Sequence, residues 1–154
     1  MISTSSHNAC KNSRIKTVAI SGNRGKDANY VGECFPLLAP KLGFWKIWHE
    51  NIGLISEDEN NRYYVEEYYK QVLSKLNPQE VYEKLDNSVL LCYEDNDKFC
   101  HRHIVAEWFQ ITLGVVVPEV KINGNDIEVV DRPEYIGEYL KDIMEKDKVL
   151  KKDK

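Results

Sequence analysis

Hydrophobic and polar positions along the chain change period several times, and each change marks the edge of an element. Tyr64, Val65, Tyr68, Val72 and Leu76 recur at helical spacing with charges between them, which predicts a helix over RYYVEEYYKQVLSKL. The polar run at 56–61 in front of it reads as a surface loop, with Asn60 or Asn61 available as the cap. Asn77, Pro78 and Glu80 supply a cap, a proline at the first helical position and a capping-box partner, so a short helix is expected over Pro78–Leu85, ended by Asp86 and Asn87. Residues 89–93 form a continuous apolar run bounded by turn residues, as expected of a strand buried on both faces of a parallel sheet. Asp97 suits the N-cap of the next helix, over 98–112. In that helix Ile104, Val105, Trp108, Ile111 and Thr112 are expected to face inward, while Cys100, His103 and Glu107 share another face.

Residues 2–5 and 17–21 (TVAIS) are β-prone, and a Gly22-Asn23-Arg24-Gly25 loop follows the second. Residues 30–41, broken by Gly32 and two prolines, read as a packed loop with a short helical turn. In FWKIWH, Phe44, Ile47 and Trp48 fall at helical spacing and are expected in the core, although such aromatics could also stack a base. Near the C-terminus, residues 115–122 are β-prone, Pro118 suggests an edge position or a kink, and Asn123-Gly124 signals a hairpin. Residues 133–144 predict a last amphipathic helix, with KDKVLKKDK as a frayed tail. These elements add up to an α/β fold, a three-layer domain with a largely parallel sheet and a C-terminal β-hairpin and helix. No internal repeat is visible, and residues 118–154, the hairpin, helix and tail, are expected as part of the same globule as the α/β domain of residues 1–117.

Length and composition narrow the class. A chain of 154 residues, 42% hydrophobic and 30% charged, matches one soluble domain with its own core. It has no apolar run of about 18 residues to cross a membrane. The start, MISTSSHNACKNSRIK, lacks the apolar centre of a secretory signal, which points to the cytoplasm. Four cysteines, Cys10, Cys34, Cys92 and Cys100, are an even number, but a domain of this size needs no disulfide framework, so reduced thiols are expected. The net charge of −4 is uneven: residues 1–50 carry seven Lys/Arg against three Asp/Glu, and the rest carries fourteen against twenty-two. A basic N-terminal third could line an anion pocket, whereas affinity of the whole protein for nucleic acid would usually want a positive total.

Candidate chemistry gathers where the apolar strand meets the helix after it. A strand feeding a helix through a short loop points the helix's free N–H groups, and the positive end of its dipole, into the crevice at the sheet's carboxyl edge. Arg102, Arg24, Ser21, Gly22 and Tyr30 are the candidate ligand-binding residues there, with Cys100, His101 and Glu94 as candidate catalytic groups. A first-turn cysteine beside an arginine should be an activated thiol. His101 can move a proton near neutral pH, and Glu94 can accept from a sugar hydroxyl or act as a base. Three readings compete. The first is a pocket for a phosphorylated or nucleotide-like ligand, with hydrolysis or transfer of part of that ligand as the reaction open to it. The second is a non-enzymatic module binding nucleic acid or a protein through Arg14, Lys16, Arg24 and Lys26. The third is a metal held by Cys92, Cys100 and His103, with Glu107 nearby, although the Cys-x7-Cys spacing matches no common zinc motif. The Cys-x5-Arg loop of tyrosine phosphatases is absent, since Ala106 follows Cys100 by six. No cofactor and no oligomeric state is legible.

At these residues the chain resembles the family called domain of unknown function 488. The resemblance rests on LLCYE at 90–94 and FCHRHIVAEW at 99–108, an apolar strand, a short acidic loop and Cys-His-Arg opening a helix. AISG at 19–22, Tyr30 and Gly32, LLAPK at 37–41 and LNPQEVYEKL at 76–85 fit its N-terminal half. Asn29 departs from the tryptophan often found before that tyrosine, which would remove one aromatic wall. The resemblance covers roughly residues 1–117. It implies an α/β fold and a shared site, and no reaction.

Overall fold

The computed structural model describes residues 1–11, 14–23, 26 and 30–152. Along the chain come β1 (Ser3–Ser6), β2 (Cys10–Lys11), β3 (Thr17–Ala19), β4 (Glu33–Cys34), α1 (Leu42–Glu50), α2 (Glu57–Gln71), α3 (Pro78–Leu85), β5 (Val89–Cys92), α4 (His101–Leu113), β6 (Glu119–Asn123), β7 (Asp126–Val130) and α5 (Glu134–Lys152). Single 3-10 turns cover Pro36–Leu38 and Leu73–Lys75.

The apolar run of β5 is buried along its whole length because the strand has a neighbour on each edge and a cluster on each face. On one edge it runs parallel to β1, with Thr4 beside Leu90 and Ser6 beside Cys92; on the other it runs parallel to β3, with Val18 beside Leu90. The full sheet has the order β2-β6-β1-β5-β3-β4, and β7 pairs antiparallel with β6. β1 reaches only the start of β6, through Thr4 and Glu119, and β2 takes its end, through Cys10 and Ile122. The N-terminal segment thus covers one edge of β6 in two pieces while β7 fills the other. The sheet is largely parallel with a C-terminal hairpin, as expected, and Gly124 at φ +61° makes the hairpin turn.

Alternation along the strands separates two apolar clusters. Leu90, Ile2 and Ile20 pack with Val65, Ile104 and Leu140 beneath the helices. Val89, Leu91, Val120 and Ile122 pack with Cys10, Ile15 and Tyr30, so this layer is built from loop and strand residues instead of helix. Full burial of each of the leucine, isoleucine and valine side chains in the two clusters stabilises by about 1.5–3 kcal/mol. Helix α5 lies against α2 and α4. A Cβ on Gly137 would stand 2.7 Å from Glu107 Oε2, so glycine there leaves room for the Glu107 carboxylate.

Several elements depart from expectation for definite reasons. Residues 57–61 belong to α2, whose cap is Ser56: its Oγ accepts from Glu59 N at 3.1 Å, and Glu57, Asp58 and Glu59 suit the positive end of the dipole. Asn60 and Asn61 are buried inside that helix rather than capping it. The helix stops at Gln71, so Leu76 falls beyond it. A short β4 stands in the segment read as loop. Asp97 is exposed and does not cap α4, whose N-cap is Cys100 with no side-chain bond. Ile47 and Ile111 are 47% and 38% exposed, so only part of each expected inward stripe is core. Pro118 precedes β6, which is paired on both edges and is no edge strand. The C-terminal segment expected to fray is helical to Lys152, and the Tyr69 hydroxyl donates to Asp147 Oδ2 at 3.0 Å to hold it.

Candidate functional site

Parallel strands β3 and β5 end side by side, so the residues that follow them, Ser21 to Asn23 and Tyr93 to Glu94, meet the start of α4. A cavity of about 520 Å³ opens there. Ser21, Gly22, Asn23, Tyr93, Glu94, Cys92, Cys100 and His101 line it on the sheet side, and Pro40, Leu42, Trp45, Trp48, Tyr64 and Phe99 form the opposite wall. Tyr93 donates its hydroxyl to Asn23 Oδ1, which ties the two strand ends together.

The wall is a set of rings held in place by α2. Trp48 lies edge-on to Tyr64 at 5.3 Å, and Tyr64 edge-on to Phe99 at 5.1 Å. Asn60 Nδ2 donates to the Trp48 carbonyl at 2.9 Å, and Trp48 Nε1 donates to Asn61 Oδ1 at 3.1 Å. These two bonds give the buried asparagines near the start of α2 hydrogen-bond partners. Trp45 stacks on His49 at 4.9 Å with planes 9° apart and lines the cavity.

Beneath the cavity lies a buried polar cluster. Arg102 is fully buried, and its guanidinium grips Glu119 of β6 through Nε at 3.1 Å to Oε1 and Nη2 at 2.8 Å to Oε2. Thr4 Oγ1 and Asn96 Nδ2 each donate to the same carboxylate at 2.6 Å. Nη1 of Arg102 sits 3.2 Å from Cys92 Sγ. A charge this deep persists only when paired and hydrogen-bonded, and Glu119 supplies both. His103 lies on the same side, with Nδ1 3.8 Å from Glu119 Oε1. Burial, reinforced by Arg102 and Arg132, pushes its pKa down to about 2.

His101 is the buried imidazole at the cavity itself. Its Nε2 is 2.7 Å from the Ile20 carbonyl, which can only accept, so Nε2 carries the proton and Nδ1 is bare. Nδ1 faces Cys100 Sγ at 3.9 Å. Burial, with a smaller contribution from Arg102, lowers the His101 pKa to about 4, so the ring is neutral at pH 7.

Cys92 and Cys100 are joined in a disulfide. This corrects the expectation of four reduced thiols. The parallel strand and the helix start bring two cysteines eight residues apart to the same point, and in this state Cys100 has no thiolate to offer. Cys10 and Cys34 stand outside the disulfide.

The cavity thus gathers Ser21, Gly22, Glu94, Cys100 and His101 from the sequence-derived set, together with Cys92. Arg102 does not join them: its guanidinium is turned into the core, which corrects its assignment as an anion-holding group. Tyr30 also stands apart, its hydroxyl 2.9 Å from the Glu33 carbonyl and 3.0 Å from that of Thr17, bridging β3 and β4. His103 does not reach the two cysteines, and Glu107 pairs instead with Arg132 Nε at 2.9 Å. Arg24 and Asn29 lie outside the described residues, while Arg14, Lys16 and Lys26 are exposed. Reading the chain alone missed Trp45, Asn96 and Glu119. A lone carboxylate inside the β-prone VVVPEVKI was the available signal for Glu119, since an acid in a buried strand requires a partner. Among the described residues no helix is long and apolar enough to cross a membrane.

A family model, DUF488-N3a, described as the active DUF488-N3 subclade, matches residues 3–112. No curated protein and no solved structure matches significantly.

Proposed function

The chain belongs to the DUF488 family, in its N3 subclade, and from that premise we propose that its cavity binds a small nucleotide-like ligand, a planar ring carrying hydroxylated and anionic groups. The observation that carries this reading is the asymmetry of the cavity. One wall is aromatic, with Trp45, Trp48, Tyr64 and Phe99, and the other is polar, with Ser21, Asn23, Glu94 and His101. A volume of about 520 Å³ suits a single small molecule. A planar heterocycle stacks on indole without needing a specific hydrogen-bond pattern, and Glu94 is suited to accept from ribose-type hydroxyls. The anionic part would rest on the free N–H groups of the first turn of α4, because no lysine or arginine lines the cavity among the described residues. Breaking or transferring a bond of the ligand falls to His101 Nδ1 as base, and to Cys100 once its disulfide is reduced.

Tryptophan fluorescence and thermal shift with nucleosides, mononucleotides and sugar phosphates test this. A nucleotide should bind wild type, and Trp45→Ala should weaken it by roughly 5–150-fold, corresponding to the 1–3 kcal/mol of a base stacked on an aromatic ring. Sugar phosphates, lacking the ring, should be insensitive to that substitution. The reading fails if no nucleoside or nucleotide at millimolar concentration is bound by the oxidised or the reduced protein.

A further inference from the structure

We infer that, once the disulfide is reduced, Cys92 Sγ, Cys100 Sγ and His101 Nδ1 form a three-ligand site for zinc or a similar borderline-soft divalent cation, with its fourth position open to the cavity. A bound metal would occupy His101 Nδ1 and Cys100 Sγ and so replace the base and nucleophile roles given to them above, and its binding is measured without any nucleotide.

Four observations converge on it. The three ligand atoms lie within 4.8 Å of one another, and all three residues line the same cavity. His101 has the tautomer a metal needs: the Ile20 carbonyl at 2.7 Å fixes the proton on Nε2 and leaves Nδ1 bare. A metal-bound histidine typically donates its second ring nitrogen to a carbonyl or carboxylate in this way. The backbone holds the Cα atoms of Cys92 and Cys100 7.5 Å apart, so the reduced sulfurs can open to the roughly 3.8 Å of two zinc-bound thiolates with 2.3 Å bonds at the tetrahedral angle. Charge is the fourth. Two thiolates and a dication sum to zero, and the neighbouring Arg102–Glu119 pair, 2.8 Å between Nη2 and Oε2, is itself balanced. A buried cluster of this composition is neutral overall, and Arg102 Nη1, 3.2 Å from Cys92 Sγ, would donate to a metal-bound thiolate from outside. His103, the histidine expected from spacing, sits instead against Glu119.

The step that reaches this state is balanced. Two equivalents of a small thiol reductant supply two electrons and two protons, the Cys92–Cys100 bond breaks into two thiols, and the reductant leaves as its disulfide. The cation then displaces both thiol protons to solvent. With three protein ligands the site keeps one position for water or substrate, the arrangement of catalytic rather than structural zinc.

The experiment uses the full-length chain, reduced and stripped of metal, with Cys10 and Cys34 replaced by serine to remove competing thiols. Zinc is titrated with proton release followed, and cobalt(II) is titrated with its absorption spectrum recorded. The expected result is one metal per chain, about two protons released on binding at pH 7 as both thiols ionise, and thiolate-to-cobalt charge-transfer bands with the ligand-field pattern of four-coordinate cobalt. Cys92→Ser, Cys100→Ser and His101→Gln should each lower zinc affinity at least about tenfold, the scale of losing a ligand or its support, and His103→Gln should not. Circular dichroism identifies any variant that fails to fold, and the cobalt spectrum of the protein retaining Cys92, Cys100 and His101 decides the matter without such variants. Absence of stoichiometric binding, a six-coordinate cobalt spectrum, or binding lost in His103→Gln but kept in His101→Gln overturns the assignment.

Discussion

Replacing Glu119 with glutamine tests how the core beneath the cavity is held. The carboxylate accepts from Thr4 Oγ1 and Asn96 Nδ2 at 2.6 Å and from Arg102 Nε and Nη2 at 3.1 and 2.8 Å, with every partner buried. Glutamine keeps the shape, yet it loses the charge and turns an N–H₂ group toward donors that need an acceptor. Leaving a buried guanidinium without its counter-ion costs about 3–5 kcal/mol. For a domain of this length that lowers Tm by roughly 6–20 °C, against a total stability of about 5–15 kcal/mol. Urea denaturation and calorimetry of Glu119→Gln measure it directly. The double variant Arg102→Met/Glu119→Met removes both charges and should cost less than Glu119→Met alone, because the expensive state is one buried charge without the other. A loss under about 1 kcal/mol for Glu119→Gln, or a double variant whose cost equals the sum of the two singles, would refute the reasoning.

Other perturbations have expected outcomes of comparable clarity. His101 and His103 have folded pKa values lowered to about 4 and about 2, so below pH ~6.5 the unfolded chain binds protons that the native one refuses. Stability is therefore full above pH ~6.5 and falls on acidification, by about 2 kcal/mol per histidine at pH 5; His103→Gln should remove about half of that fall, and urea midpoints that stay flat from pH 7 to 5 would contradict it. Ser56→Ala removes the α2 cap at Glu59 N and should cost about 1 kcal/mol, or about 2–4 °C in Tm, with no change in ligand affinity. Asn61→Ala frees Trp48 Nε1 and should weaken nucleotide binding in the fluorescence assay, although Asn61 does not line the cavity.

What could be read from the chain was whatever depends on near neighbours. Residues 89–92 were legible as a buried strand because four apolar residues in succession leave no face for water, and α3 was legible because Asn77, Pro78 and Glu80 carry its start within four positions. The start of α2 had its own signature, Ser56 followed by Glu59, which was masked by a polar run whose outward face resembles a loop. Cys100 offered no cap signal because its side chain makes no cap bond. The seam residues Glu94, Cys100 and His101 line one cavity because a parallel strand followed by a helix fixes their neighbourhood. Arg102 was misread since its partner lies 17 residues away, across from the helix on strand β6, and no spacing rule reports a contact of that kind. The indole of Trp45 was missed for the opposite reason: it is off the apolar stripe of α1, and only the packing of that helix on α2 brings it to the cavity.

The pairing of Arg102 with Glu119 carries a consequence for how such a chain can be divided or recombined. The family match ends at residue 112, whereas the acid that neutralises the buried cation stands on β6, after that boundary. A chain shortened to the matched portion would expose its core to an uncompensated positive charge and lose a strand from beside β1 in the same cut. The C-terminal hairpin is therefore exchangeable between proteins only for a segment that brings a carboxylate to the same register, and grafting experiments on this fold should move residues 96, 102 and 119 together.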